Sequence, residues 1–154
     1  MRSFTFELFA DYFQFYLQDE SASAGLGDAW TEEACARMLA VAQGNVGVGT
    51  ARNMDVPVVV ELHEREPDAD SNNWDQVVEC DLEIGSGRVV VAGCTDYFPD
   101  AARIDVEPGS YRVRVSYGAL SALSVNGLEG DDHYRVQLWP GDPAGVRVVK
   151  ERSA

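Results

Sequence analysis

Positive charge is scarce in this sequence of 154 residues. Twelve Lys and Arg residues stand against 26 Asp and Glu residues, which gives a formal net charge of −14. Nucleic acids and anionic membranes recruit proteins through basic surfaces, so this composition argues against both as partners. It permits a basic protein as the partner, since opposite charges accelerate association. A purely solubilising acidic surface would explain the same composition.

The sequence also lacks the features of an exported or membrane-spanning chain. No apolar run approaches the length of a transmembrane helix, and the N-terminus has no small-residue cleavage site. The cysteines Cys35, Cys80 and Cys94 are odd in number and form no C-x-x-C pair. Their apolar neighbours predict buried, free thiols in a reducing compartment. We therefore expect a cytoplasmic protein.

Catalytic signatures are missing as well. The sequence contains no P-loop, no G-x-G-x-x-G motif and no nucleophile elbow. His63 and His133 are far apart and fall at outward strand positions, where histidines without a positioned partner are surface residues. The cysteines have no nearby His or basic group to activate them. We therefore expect no enzyme, no catalytic residue, no cofactor and no metal.

Alternation of apolar and polar residues dominates what is present. Residues 102–117 contain two alternating stretches separated by Pro108-Gly109. A period of two predicts strands with one buried side and one solvent-facing side. Pro at the first central turn position is incompatible with the mirror-image turns of tight hairpins, so we predict a corner whose strands join different sheets. Tyr111, just after it, resembles the tyrosine corner of immunoglobulin-like sandwiches.

Further strands are predicted at intervals of eight to twelve residues. Aromatic residues between 4 and 17 predict two strands with a break near residues 9–11. The remaining predicted strands are 46–50, 56–66, 77–84, 88–92, 132–139 and 146–150, with Gly85-Ser86-Gly87 as a short hairpin turn. This spacing predicts a single all-β domain over residues 1–154, an antiparallel β-sandwich with an Ig- or C2-like arrangement.

One α-helix is predicted near residues 31–43, packed against the sandwich. Thr31 can cap it, and Glu32 and Glu33 occupy a first turn that favours negative charge. Apolar residues then recur at helical spacing as far as Ala42, and Gly44 ends the segment.

An acidic stretch from Asp68 to Glu79 resembles a calcium-binding loop. Oxygen ligands recur at its first, third and fifth positions, and Glu79 occupies the twelfth. Asn73 stands where such loops have Gly, and the flanking residues predict strands rather than helices. A solvated acidic loop is the simpler interpretation, and a ligand- or calcium-binding module is the alternative function.

Three further carboxylates form a stripe on one strand. Glu79, Asp81 and Glu83 alternate with apolar residues, which places all three on the outward side of the strand. They either offer an anionic surface to a partner or pair with arginines on a neighbouring strand: Arg88, Arg112 or Arg114. Outward strand positions tolerate charge, so we expect their reversal to Lys to leave the fold intact.

Sequence blocks between residues 28 and 62 resemble the competence protein J (ComJ) family. The blocks are Asp28-Ala-Trp30-Thr31-Glu32-Glu33-Ala34, Val46-Gly-Val-Gly-Thr-Ala-Arg52-Asn53 and Val58-Val-Val-Glu-Leu62. In that family a Trp-Thr pair opens a helix and an Arg-Asn pair follows the next strand. The resemblance implies a bacterial inhibitor that binds a DNA-entry nuclease and holds it inactive. The motif residues could equally be structural, Thr31 as a cap and Arg52-Asn53 as a turn.

These observations together predict a non-catalytic acidic protein that binds and inhibits a nuclease. The target would be a DNA-entry nuclease or a nuclease toxin, whose active cleft must be positive to attract phosphates. Carboxylates presented to such a cleft imitate the charge of its substrate. The candidate partner-binding residues are Glu79, Asp81, Glu83, Trp30, Arg52 and Asn53.

Overall fold

The computed structural model describes residues 1–153, which form two β-sheets around one large hydrophobic core. The described strands are β1 Arg2–Phe9, β2 Gln14–Asp19, β3 Leu39–Ala42, β4 Asn45–Gly49, β5 Asp55–Leu62, β6 Gln76–Ile84, β7 Arg88–Gly93, β8 Ala102–Asp105, β9 Gly109–Gly118, β10 His133–Pro140 and β11 Arg147–Lys150. The helix α1 spans Glu32–Arg37, and short 3₁₀ turns occupy Asp11–Phe13, Gly27–Ala29, Ser71–Asn73 and Phe98–Asp100. No helix in residues 1–153 is long and apolar enough to cross a membrane.

The six-stranded sheet has the order β1-β5-β10-β9-β6-β11, and the five-stranded sheet has the order β3-β4-β2-β7-β8. Within residues 1–153 every strand pairing is antiparallel except that of β5 with β10, where Val58 lies opposite Tyr134. The predicted mainly antiparallel all-β architecture with one helix is therefore confirmed. Its Ig- or C2-like arrangement stays a prediction.

The core lies between the two sheets and follows the predicted alternation. Val78, Cys80, Leu82 and Ile84 of β6 are all buried in it, as the sequence predicts. The ring of Phe15 from the five-stranded sheet meets Tyr134 of the six-stranded sheet edge-on, with ring centroids 6.0 Å apart. Removing this apolar surface from water is the main favourable contribution to folding.

The predicted corner at Pro108-Gly109 is confirmed. β8 belongs to the five-stranded sheet and β9 to the six-stranded sheet, so the chain changes sheets at this turn. The hydroxyl of Tyr111 donates a hydrogen bond to the carbonyl oxygen of Glu107 at 2.5 Å. This bond to backbone four residues upstream is the contact that defines a tyrosine corner.

The hairpin predicted at Gly85-Ser86-Gly87 is wrong. β6 lies in the six-stranded sheet and β7 in the five-stranded sheet, so these residues form a second crossing between sheets. The N–H of Ser86 donates to the Oδ1 atom of Asp19 at 3.2 Å, which anchors the crossing on the end of β2. A Gly-rich link permits any sharp reversal, and the local sequence does not encode which strand lies alongside.

The helix is shorter than predicted. It ends at Arg37, and Met38 takes a left-handed conformation with φ of 61°. The carbonyl of Met38 accepts a hydrogen bond from the Tyr117 hydroxyl at 2.6 Å, which holds this turn on the six-stranded sheet. Residues 39–42, predicted as helix, form β3 because β4 lies beside them and completes their backbone hydrogen bonds.

The cysteines do not share one environment. Cys80 is buried in the core, where burial raises the pKa of its thiol to about 12. Cys94 is half-buried, with its sulfur 3.0 Å from the hydroxyl oxygen of Tyr16, and Cys35 is exposed on α1. The prediction of buried free thiols therefore holds for Cys80 and is wrong for Cys35. The shortened helix packs only Ala34 inward and leaves its neighbour in water.

Candidate partner-binding site

The acidic stripe lies on the outer face of the six-stranded sheet, the side turned away from the core. Its three carboxylates differ in exposure, because Glu79 is only 7% exposed, Asp81 is half-buried and Glu83 is exposed. β9 runs beside the stripe, with Arg114 directly opposite Glu79 and Arg112 directly opposite Asp81.

These arginines neutralise two of the three carboxylates. Arg114 Nε lies 2.8 Å from Glu79 Oε2, and Arg112 bridges Glu79 Oε1 at 3.4 Å and Asp81 Oδ1 at 2.6 Å. Both arginines are buried. Of the two interpretations of the stripe, cross-strand pairing is realised for Glu79 and Asp81. Glu79 is therefore not the solvent-facing position that the sequence suggests, and we now expect Lys at this position to be destabilising, because a third cation would be buried beside two guanidinium groups.

Two connections cover the middle of the outer face. The carbonyl of Pro67 accepts a hydrogen bond from Arg114 at 3.1 Å, and the carbonyl of Gly145 accepts one from Arg112 at 2.8 Å. Burial would raise the pKa of Asp81, but the hydrogen bonds from Arg112 and from the N–H groups of Ala144 and Gly145 hold it below its usual value. The guanidinium of Arg114 stacks over the indole of Trp139, with 5.0 Å from Cζ to the ring centroid. The outer face is thus a closed polar layer in which Glu83 remains accessible.

Two carboxylates of the calcium-like loop, those of Asp70 and Glu79, are engaged in the same layer. Asp70 receives two hydrogen bonds from Arg135, at 2.8 and 2.6 Å, which lower the pKa of its carboxyl group. Glu79, at the other end of the loop, is held by Arg112 and Arg114. No group of three or more His, Cys, Asp or Glu residues within residues 1–153 is arranged to hold a metal ion. A cation at this loop would have to displace guanidinium groups from its carboxylates.

An ion pair of Arg52 links the 50–54 loop to the start of β10. Its Nε donates to Asp132 Oδ1 at 2.5 Å, and both side chains are buried. The second carboxylate oxygen of Asp132 accepts a hydrogen bond from the Tyr134 hydroxyl at 2.6 Å. The oxygen of that hydroxyl in turn accepts a hydrogen bond from the N–H of Ala51 at 2.8 Å. Burial and the neighbouring carboxylate raise the pKa of Tyr134. Asn53, the next residue of the motif, is exposed at the tip of this loop.

Trp30 and Thr31 build the entry to the helix. Thr31 Oγ1 accepts from the N–H of Ala34 at 3.2 Å, so the predicted cap is confirmed. Trp30 is half-buried, and its Nε1 donates to Gln14 Oε1 at 2.9 Å. The indole lies directly on Gly47, where a Cβ would approach Cζ2 to 2.9 Å. Gly47 is therefore needed for this close approach between Trp30, at the entry to α1, and β4.

The structure divides the six predicted site residues into two groups. Trp30 and the connection that carries Arg52 both contact the segment from Ala10 to Gln14. Trp30 donates a hydrogen bond to Gln14, and the N–H of Thr50, two residues before Arg52, donates one to the carbonyl of Phe13 at 2.9 Å. Asn53 lies in the same loop, whereas the acidic stripe lies on β6 of the six-stranded sheet. The partner of Arg52 was missed because Asp132 follows another Asp before a strand, which is the pattern of a turn.

No protein-family model matches the chain, and no curated protein matches it. Two solved structures share its fold. The chain is similar in structure to ComJ. ComJ from Bacillus subtilis, described as an inhibitor of the DNA degrading activity of NucA, superposes with a TM-score of 0.70 at 18% identity, over 91% of this chain and 98% of ComJ.

The second structure is described as crocagin biosynthetic gene J. It gives a TM-score of 0.59 at 20% identity, over 91% of this chain and 96% of that protein. The resemblance to ComJ predicted from residues 28–62 is therefore confirmed as a similarity of fold, and it extends over most of the chain.

Proposed function

We propose that this chain is a non-catalytic protein that binds a nuclease and inhibits it. The observation that carries the proposal is the fold shared with an inhibitor of DNA degradation over 91% of this chain, at a TM-score of 0.70. The target is a DNA-entry nuclease or a nuclease toxin, and inhibition takes place in the bacterial cytoplasm.

The charge of the chain supports the same proposal. A nuclease attracts phosphates, so its active cleft is positive. A chain with a net charge of −14 complements such a cleft and approaches it quickly. The same charge disfavours nucleic acid and anionic membrane as partners.

The six candidate residues differ in their suitability as direct contacts. Glu83 and Asn53 are exposed and Trp30 is half-buried, so these three can touch a partner. Glu79, Asp81 and Arg52 are engaged in ion pairs and would act by holding the surface around them. Their contact with a partner stays a prediction.

Inhibition kinetics test the proposal. The purified chain is titrated against NucA from Bacillus subtilis and against each basic DNA-degrading enzyme captured from the source cell at low salt. We expect DNA degradation by at least one of them to fall to a plateau at a fixed molar ratio, while the chain alone leaves DNA intact. Retention of no basic nuclease, or undiminished degradation at saturating chain, would refute the proposal.

A further inference from the structure

Exposed aromatic side chains gather where β1 turns into β2. Phe9 is 40% exposed, Tyr12 is 69% exposed and Phe13 is 52% exposed. We call this segment, residues 9–13, the aromatic turn. Tyr97, 71% exposed, lies in the neighbouring connection, which is joined to the turn by a hydrogen bond from Thr95 Oγ1 to Asp11 Oδ2 at 3.1 Å. Contiguous exposed apolar side chains mark interaction surfaces more often than scattered ones do.

The backbone of the aromatic turn is strained. Tyr12 and Phe13 have φ of 57° and 60°, so two consecutive bulky residues occupy the left-handed region. Gly or Asn would adopt this conformation at lower cost. Both rings face water to a large extent, so burial does not offset the strain. Strain of this kind, held by surrounding structure, is characteristic of functional surfaces.

Surrounding contacts fix the position of the turn. The N–H of Ala10 donates to the carbonyl of Met54 at 2.9 Å, and the carbonyl of Phe13 accepts from Thr50. Gly93 at the end of β7 packs so closely that a Cβ there would overlap the carbonyl oxygen of Phe9. Together with the bond from Trp30 to Gln14, these contacts place the ComJ-like blocks around the turn as its support.

Uncompensated negative charge surrounds the aromatic side chains. Asp55 lies directly opposite Phe9 in the pairing of β1 with β5, Asp11 lies within the turn, and Asp96 accepts the N–H of Gly93 at 2.8 Å. None of these three aspartates forms an ion pair within residues 1–153. Arg52, the cation of the adjoining loop, is buried against Asp132. On the outer face of the six-stranded sheet, by contrast, arginines neutralise Glu79 and Asp81.

We propose that the aromatic turn, with Asp11, Asp55 and Asp96 at its rim, is the surface by which this chain binds a basic protein. Tyr12 and Phe13 enter an apolar depression of the partner, and the aspartates meet its Lys and Arg side chains. Aromatic anchors carry much of the energy of binding hot spots, and complementary charge near them speeds association and adds specificity. The identity of the partner as a nuclease rests on the proposed function.

Substitution of Tyr12 by Gly separates binding from folding. Gly accepts a φ of 57°, so we expect the melting temperature of Tyr12→Gly to stay unchanged or rise, while affinity for the captured partner falls at least tenfold. Phe13→Asn should behave in the same way. Asp55→Lys should slow association. The control is Glu107→Lys, which should leave the association rate unchanged, because Glu107 is exposed beside the corner at the opposite end of the sheets. Wild-type affinity in Tyr12→Gly would overturn the proposal.

Photo-crosslinking in the source cell distinguishes this surface from the proposed function. The photoreactive residue p-benzoyl-phenylalanine replaces Tyr12 in one variant and Glu107 in the control. A nuclease crosslinked from position 12 alone, and bound more weakly by Tyr12→Gly, supports both proposals. The crosslinked protein could instead be basic but without nuclease activity. If it crosslinks from position 12 alone and binds Tyr12→Gly more weakly, the result supports the surface and overturns the proposed function.

The opposite results overturn the surface. A nuclease that the wild-type chain inhibits but that crosslinks only from position 107 leaves the proposed function standing and refutes the aromatic turn as its contact. Crosslinking of a second copy of this chain, or of no basic protein, from position 12 refutes it as well.

Discussion

The carboxylate of Glu79 lies between two buried guanidinium groups, and its replacement should be costly. Glu79→Gln removes the carboxylate nearest to the buried Arg114 and leaves Asp81 as the ion-pair partner of Arg112, so we expect a loss of about 3 kcal/mol in the free energy of unfolding. Glu83→Gln is the matched control on the same strand, and we expect its effect to stay within about 0.5 kcal/mol because Glu83 is exposed. Urea unfolding of both variants measures the difference. Equal effects would mean that the pairing on the outer face contributes nothing.

Asp70 gives a pH-dependent contribution to stability. Its pKa lies below the usual value of 3.8 because Arg135 donates two hydrogen bonds to the ionised carboxylate. A depressed folded-state pKa means that the unfolded state binds the proton more tightly, so this stabilisation is present above the usual value and is lost as the pH falls through the folded-state pKa.

We therefore expect Asp70→Asn to be less stable than the wild-type chain by about 1 kcal/mol at pH 7. The difference should shrink once the pH falls below 3.8. Thermal unfolding across this range measures it, and Asp68→Asn serves as control because the Asp68 side chain is exposed. A difference that stays constant down to the lowest pH would show that the ionised form of Asp70 is not what Arg135 stabilises.

At the scale of elements, the short helix depends on its cap. α1 has only six residues, and Thr31 Oγ1 satisfies the N–H of Ala34 at its start. Thr31→Ala should lower the free energy of unfolding by about 1 kcal/mol, whereas Thr31→Ser keeps the hydroxyl and should stay close to the wild-type value. Inhibition of the proposed nuclease target should change little in either variant. A loss in Thr31→Ser as large as in Thr31→Ala would assign the effect to the methyl group instead.

The contact between β7 and the aromatic turn permits no side chain at position 93. Gly93→Ala forces the new Cβ against the carbonyl of Phe9, and we expect it to cost about 2 kcal/mol and to weaken partner binding by displacing the turn. Gly25→Ala is the control, because a Cβ there meets nothing within 4 Å. Urea unfolding and binding assays check both effects. Normal stability of Gly93→Ala would show that the turn can move aside freely.

The local sequence pattern is enough to predict most of the strands and the corner at Pro108, because side-chain alternation and proline geometry act within a few residues. It failed for residues 39–42 and for Gly85-Ser86-Gly87, where the neighbouring strand decides the structure. Side-chain alternation predicts correctly that Glu79 lies on the outer face of its strand. Its burial there depends on Arg114 of the neighbouring strand and on Pro67, which covers the sheet. The aromatic turn was predicted only as a break between strands, because aromatic residues belong to the core in most proteins.

For the whole molecule, the unbalanced charge should govern how fast it meets its partner. We expect the association rate constant to fall about tenfold as ionic strength rises from about 0.05 M to 0.5 M, since screening shortens the reach of the field. The dissociation rate constant should change much less. Stopped-flow kinetics with the captured nuclease measure both rates. An association rate independent of salt would show that the net charge of −14 serves only solubility.

The parallel pairing of β5 with β10 has a consequence for how the chain folds during synthesis. β10 follows both β5 and β9 in sequence and lies between them in the middle of the six-stranded sheet. Until it has left the ribosome, β1–β5 and β6–β9 are separate pairs, and the edges of β5 and β9 that β10 will cover stay open to strands of other molecules. The sheet is therefore completed late, through contacts distant in sequence, and such contacts make folding slow. Premature termination before residue 133 would leave both edges permanently open and the product prone to aggregate.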